Sequence, residues 1–183
     1  MLFRSVSQSR YLMTYERGKL NEKLNKYAEI TDITPRDIRY VVDNARREDV
    51  IEVTASSGGL SYESMKHAIE ISSSAYTVYI NNSEFPVGIM GVAHIGENTG
   101  SPWFIGTKGL EGNDLIIIKS SKRIIELLSR TYKRLFNLVH CDSTKSIRWI
   151  TYCGFTIHDP VKAGVNDDLF FPFSMEIKEN ENV

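Results

Sequence analysis

The twelve residues SIRWITYCGFTI, Ser146–Ile157, decide how this chain is read. Thr144 to Cys153 carries a helical pattern, with Ile147 and Ile150 three residues apart on one side. Gly154 then breaks it, because glycine takes the left-handed conformation that closes a helix. Phe155 to Asp159 resumes as a strand, and the apolar run Leu135–Asp142 predicts a buried strand just before the helix. The unit is strand, helix, glycine stop, strand.

The pattern extends outward on both sides. Leu115–Tyr132 reads as a long helix with Ile118, Ile124, Ile125, Leu127 and Leu128 toward a core. Asp168–Lys178 reads as the last strand, and Pro172 inside it implies an edge position or a bulge. Upstream, Ala75–Asn81 and Pro86–Gly96 alternate as two arms of a hairpin, and Trp103–Thr107 forms a third strand after a loop at 97–102. Three helices precede these strands. The first starts at Thr34-Pro35 and buries Ile38, Val41, Val42 and Ala45 through about Arg47. The second covers Val50–Ala55 and stops at Gly58-Gly59, and the third resumes from Ser61 with Met65, Ala68 and Ile69 inward. Glu29–Asp32 is a short leading strand. This order describes an α/β domain with a sheet of mixed direction and helices on its faces, over residues 29–178. Residues 1–28 read as a helical arm with Leu20, Leu24 and Tyr27 on one stripe, and 179–183 as an acidic tail.

Composition narrows the classes. The 183 residues are 42% hydrophobic and 25% charged with a formal net charge of −1, which gives no global field for nucleic acid or membrane. Cys141 and Cys153 form no metal-type pair, and the four histidines are scattered, so no zinc site is expected. No apolar run reaches the roughly 20 residues of a membrane span, and the first residues lack a signal-peptide core. The expectation is a chain without a membrane partner that stays where it is made, or in a particle assembled there. One local asymmetry stands out: between Leu115 and Ile150, eight basic residues face two acidic ones. Lys119, Arg123, Arg130, Lys133 and Arg134, read as one exposed helix face, and Arg148 are the candidate partner-binding residues. An acidic protein surface or nucleic acid would suit them.

The element order and the stretch ending in Gly154-Phe155 resemble the GNAT acetyltransferase superfamily, whose late helix carries an Ala-Ile pair and a tyrosine before Gly-Phe. A narrower resemblance goes to the GNAT-like internal virion proteins of short-tailed phages. It rests on Arg46, Asp49 and Glu52; on Trp103, Gly106 and Thr107; and on Ser146, Ile147, Arg148 and Trp149. It spans about Thr31 to Asp159. The resemblance implies a mostly antiparallel mixed sheet flanked by helices.

The same resemblance implies a coenzyme A site at the strand–loop–helix after Trp103. Gly106, Thr107, Lys108, Gly109, Gly112 and Lys122 would hold acetyl-CoA if it binds, because helix-terminal amides attract phosphate. The loop departs from the family's Q/R-x-x-G-x-G/A spacing, and Glu111 and Asp114 add negative charge beside it. Ile150 stands where the family's tyrosine acid belongs, and Ser143 where an asparagine often contacts the cofactor. Glu52 and His94 remain candidate general bases, Glu52 otherwise reading as a surface residue paired with Arg46 or Arg47. Cys141 reads as a small buried filler. The expectation is a catalytically degenerate acetyltransferase fold, with no catalytic residue and no cofactor, that docks other virion proteins or itself. The alternatives are an active N-acetyltransferase on a host protein or small amine, and a host-takeover protein that binds without chemistry.

Overall fold

A computed structural model describes residues 28–80, 83–113, 120–121, 123–126 and 131–177. In chain order the elements are β1 (Ala28–Thr31), α1 (Pro35–Asn44), α2 (Arg47–Ser57), α3 (Tyr62–Glu70), β2 (Ser72–Ile80), β3 (Gly88–Gly96) and β4 (Thr99–Gly106). A 3₁₀ turn (Lys108–Leu110), β5 (Arg134–His140), α4 (Thr144–Tyr152), β6 (Thr156–Ile157), β7 (Val161–Ala163) and β8 (Asp168–Glu176) follow. Residues 120–121 and 123–126 are helical, as the long-helix reading expects, whereas Tyr132 is not. Ile118, Leu127, Leu128, the arm through residue 27 and the tail from residue 178 lie outside the described residues.

One sheet orders its strands β1-β2-β3-β4-β5-β8-β6, with β7 also on β8. Among the described residues only β4 and β5 run parallel; the other pairings are antiparallel. The mixed, mostly antiparallel α/β architecture is therefore present. Ile38, Val41, Met65 and Ile89 form a core between α1, α3 and one face of the sheet. Tyr76, Met90, Val92, Ile125, Leu135, Val139, Ile150 and Phe173 form the core on the other face.

Local chemistry accounts for the boundaries. The Thr34 hydroxyl accepts from Asp37 N–H while the Asp37 carboxylate accepts from Thr34 N–H, a reciprocal cap. Asp37 also accepts from Tyr79 and Thr77, pinning α1 to β2. Burial opposes its charge, and these hydrogen bonds outweigh it, so its pKa lies below the ordinary aspartate value. Gly154 follows α4 at φ 96°, as its sequence position requires.

Several boundaries differ from expectation. α1 ends at Asn44 and α2 is longer than Val50–Ala55. β1 begins at Ala28, one residue inside the expected arm. β4 begins at Thr99, because Glu97 and Asn98 make a two-residue turn, with Asn98 at φ 57°, and the polar run after it is strand. Lys133 and Arg134 are not on the long helix: Arg134 opens β5 and meets Glu176 at 3.3 Å. The strand after Gly154 is two residues long, and β7 follows it after a break at His158–Pro160. That break explains Pro172. β8 is an interior strand, not an edge, and His158 N–H donates to Pro172 O across the gap, where the missing proline N–H faces no strand.

Gly91 shows how tightly one face is packed. A Cβ there would lie 2.7 Å from the Trp103 ring, whose indole N–H donates to Ser72. Gly91→Ala is expected to cost about 1–3 kcal/mol as overpacking, read as a lower urea midpoint. An unchanged midpoint would mean that Trp103 moves freely.

Candidate functional site

The backbones of β4 and β5 pair only at their starts, Thr99 beside Arg134 and Gly100 beside Leu135, and then diverge. A split between parallel strands exposes backbone edges that ordinarily need partners. Which groups face it follows from the two-residue period. Thr107 N–H bonds Val87 O on the β3 side, so Gly106, Phe104 and Pro102 turn their backbone toward β5. Cys141 N–H bonds Leu169 O on the β8 side, so His140 and Leu138 turn theirs toward β4.

The protein's own residues fill this split. Near its apex, Asn137 donates from Nδ2 to Pro102 O at 2.8 Å and accepts Leu138 N–H on Oδ1 at 2.8 Å. One side-chain amide thereby stands in for a peptide. Proline at 102 removes a donor from the same edge. At the open end, the Asp49 carboxylate accepts Gly106 N–H at 2.8 Å, and Arg46 N–H donates to Gly106 O at 2.9 Å. On the opposite wall, Glu52 lies close to the His140 backbone N–H and the Ser143 hydroxyl, which favour its charged form. Of two carboxylates three residues apart on α2, Asp49 thus holds β4 and Glu52 lies beside β5.

The electrostatics are those of buried charge. Arg46 chelates Asp49 through Nε at 2.9 Å and Nη2 at 2.8 Å, with its guanidinium 5.9 Å from the Phe104 ring. Burial pushes the Asp49 carboxyl above its ordinary value, opposed by Arg46 and the Gly106 amide. Burial, with the adjacent Asp49 charge, pushes Glu52 up to about 7 against the hydrogen bonds from Ser143 and His140. Beside them Lys145 of α4 meets Glu48 of α2 at 3.1 Å. On one face of the split, Trp149 donates its indole N–H to Ser121 at 2.7 Å and packs 6.3 Å from Phe104.

The candidate residues separate accordingly. Glu52 is not the surface partner of an arginine: it faces the split. His94 is exposed on β3, 6.0 Å from the Tyr132 ring and not among the groups that line the split. Cys141 is half-buried, less enclosed than a filler, and burial and Asp142 raise its pKa, which disfavours the thiolate. Gly106 lies at the split, but Gly109 lines a separate hollow of 310 Å³ with Tyr40, Ser83, Phe85 and Asn113. Gly112 is a left-handed turn residue at φ 78°, and Lys108 is exposed. Lys119, Lys122 and Arg130 lie outside the described residues; Arg123, Lys133, Arg134 and Arg148 are exposed. Asp49, Asn137 and the His140 amide were not foreseen as split-lining groups. The three-residue spacing of Arg46, Asp49 and Glu52 was the available signal.

The described part of the loop after β4 has few free backbone amides to offer a phosphate. Of the seven amides from Thr107 to Asn113, five already donate within the turn or to β3: those of Thr107, Gly109, Leu110, Glu111 and Asn113. Both edge groups of Gly106 are committed, and the position expected of a thiolate acid is the buried alkyl chain of Ile150. Among the described residues no cluster of His, Cys, Asp or Glu could hold a metal. No described helix is long and apolar enough to cross a membrane.

No protein-family profile and no curated relative matches the chain. Solved structures do. Spermidine N-acetyltransferase from Vibrio cholerae, in complex with CoA and spermine, superposes with TM-score 0.64 at 9% identity, over 81% of this chain and 95% of that one. A GNAT-family acetyltransferase from Bacillus anthracis gives 0.61 at 12%, over 82% and 95%. Ard1 from Thermoplasma volcanium gives 0.64 at 12%, over 83% and 99%. With the parallel β4–β5 split at the centre of an otherwise antiparallel sheet, the fold of this chain is that of the GNAT acetyltransferases.

Proposed function

We propose that this chain uses the GNAT fold as a protein-docking module that transfers no acetyl group, in the assembly or particle of a short-tailed phage. The observation that carries the first half is the self-capped split. Asn137, Asp49 and Arg46 occupy strand-edge groups that an extended ligand would use. A fold alone does not assign an activity, so the site decides. The phage setting is supported by the sequence resemblance, above all by the Arg46, Asp49 and Glu52 run, which here forms the clamp across the split. Other proteins of the particle are the partners this reading implies, and mass spectrometry of purified particles tests it.

A second reading has one observation in its favour. Glu52 exchanges a proton near neutrality, the property a general base for amine acylation needs. It requires that acetyl-CoA bind. Titration calorimetry of the full chain with acetyl-CoA separates the two. The docking reading expects no saturable heat at millimolar cofactor; tight binding that Lys108→Glu abolishes would overturn it in favour of acyl transfer.

A further inference from the structure

α2 is built inside out. A surface helix normally buries its apolar stripe and exposes its acids. Here Asp49 is 5% exposed and Glu52 faces the split, while Val50 and Ile51 are 38% and 44% exposed. At 100° per residue, Arg47, Val50, Ile51 and Thr54 share the outer face of this helix.

The outer face continues onto the β7–β8 hairpin. Val165 N–H donates to Ala55 O at 2.9 Å, and a Cβ on Gly164 would lie 2.2 Å from the same oxygen. The hairpin tip is thus seated against the last turns of α2, one turn beyond Ile51. Val161 pairs with Phe170 and shares its side of the sheet. Val161 and Val165 are 42% and 59% exposed, so four of the nine exposed large apolar side chains among the described residues belong to this one region. Single exposed apolar residues need no explanation, but a cluster does.

The charges along the face choose the partner. Arg47 stands at the N-terminal end of α2, where the helix dipole is also positive. Asp167 stands on the hairpin tip at the opposite end, two residues beyond Val165. The face is positive at one end, apolar in the middle and negative at the other, over roughly the 12 Å between Arg47 and Ala55. A two-fold axis through Ile51 lays such a face on itself, Arg47 of each copy meeting Asp167 of the other, which is the self-complementarity a symmetric dimer requires.

We infer that the outer face of α2 and the β7–β8 hairpin is a docking surface for a second copy of this chain. This deepens the docking reading by naming the partner, and it stands or falls separately from the acetyl-CoA titration.

Sedimentation equilibrium of the full chain is the test, with circular dichroism confirming that each variant folds. The parent is expected to dimerise, and Ile51→Glu, Arg47→Glu and Asp167→Lys each to weaken association at least about tenfold. An equimolar mixture of Arg47→Glu and Asp167→Lys should dimerise again. In the mixed pair the two introduced charges, opposite in sign, meet at one contact, and the native Arg47 and Asp167 meet at the other. A parent that stays monomeric at all concentrations overturns the proposal. So does a dimer indifferent to these changes, or a mixture that fails to recover.

Discussion

Asp49→Ala is expected to lower the unfolding free energy by about 3–5 kcal/mol, the cost of stranding one partner of a buried ion pair. The substitution removes few atoms, so cavity formation contributes little. The cost comes from what is left behind: the Arg46 guanidinium, its side chain 19% exposed, without its counter-ion, and the Gly106 N–H without an acceptor. Urea unfolding should show a lower midpoint with an unchanged slope. The double replacement Arg46→Met with Asp49→Leu should recover much of the loss, because replacing a whole buried pair by apolar side chains costs far less than removing one partner. A loss below about 1 kcal/mol for Asp49→Ala would show that Arg46 finds solvent and that the clamp contributes little to stability.

Glu52→Gln should have the opposite sign, and its size should depend on pH. An ordinary glutamate titrates near 4.5, and burial raises Glu52 to about 7 in the folded chain. Between those values the folded protein holds a proton that the unfolded chain has released, so stability falls as pH rises through that window. Above pH 7 the penalty is fully present. Glutamine keeps the size and a carbonyl acceptor but carries no charge. The variant should therefore exceed the parent at pH 8, by up to about 3 kcal/mol, and lose most of that advantage by pH 5. Unfolding midpoints measured at four or five pH values give the difference directly. A difference that does not change with pH would sink the assignment of the titration to Glu52.

The two carboxylates also mark where sequence reasoning stops. The caps at Thr34 and Gly154, the alternation of β2 and β3, and the core positions Ile38, Val41, Ile147 and Ile150 depend on near neighbours in the chain, and they were legible. The start of β4 was not. Gly100, Ser101 and Pro102 look like loop because a strand ordinarily needs their backbone donors; Pro102 lies just past the last β4–β5 pair, where its nitrogen faces the split and proline is tolerated. The orientation of α2 was hidden for the same kind of reason. Helical periodicity places acids in solvent unless distant groups stabilise them, and the partners of Asp49 and Glu52 lie about 57 and 88 residues further along. The run of Arg46, Asp49 and Glu52 was visible as a pattern, but its role as a clamp needed the two strands in place.

The position of β8 has a consequence for how the chain comes into being. This strand, Asp168–Glu176, is the last of the described strands yet lies in the interior of the sheet, bonded to β5 on one side and to β6 and β7 on the other. During synthesis β1 to β4 can pair as they emerge, each with the strand just made. β5, β6 and β7 must wait, their edges open, until the final strand arrives to join them. The half of the molecule that holds the split is therefore completed only once Asp168–Glu176 has been made, and a nascent chain halted before Asp168 presents an unfinished sheet to whatever surrounds it.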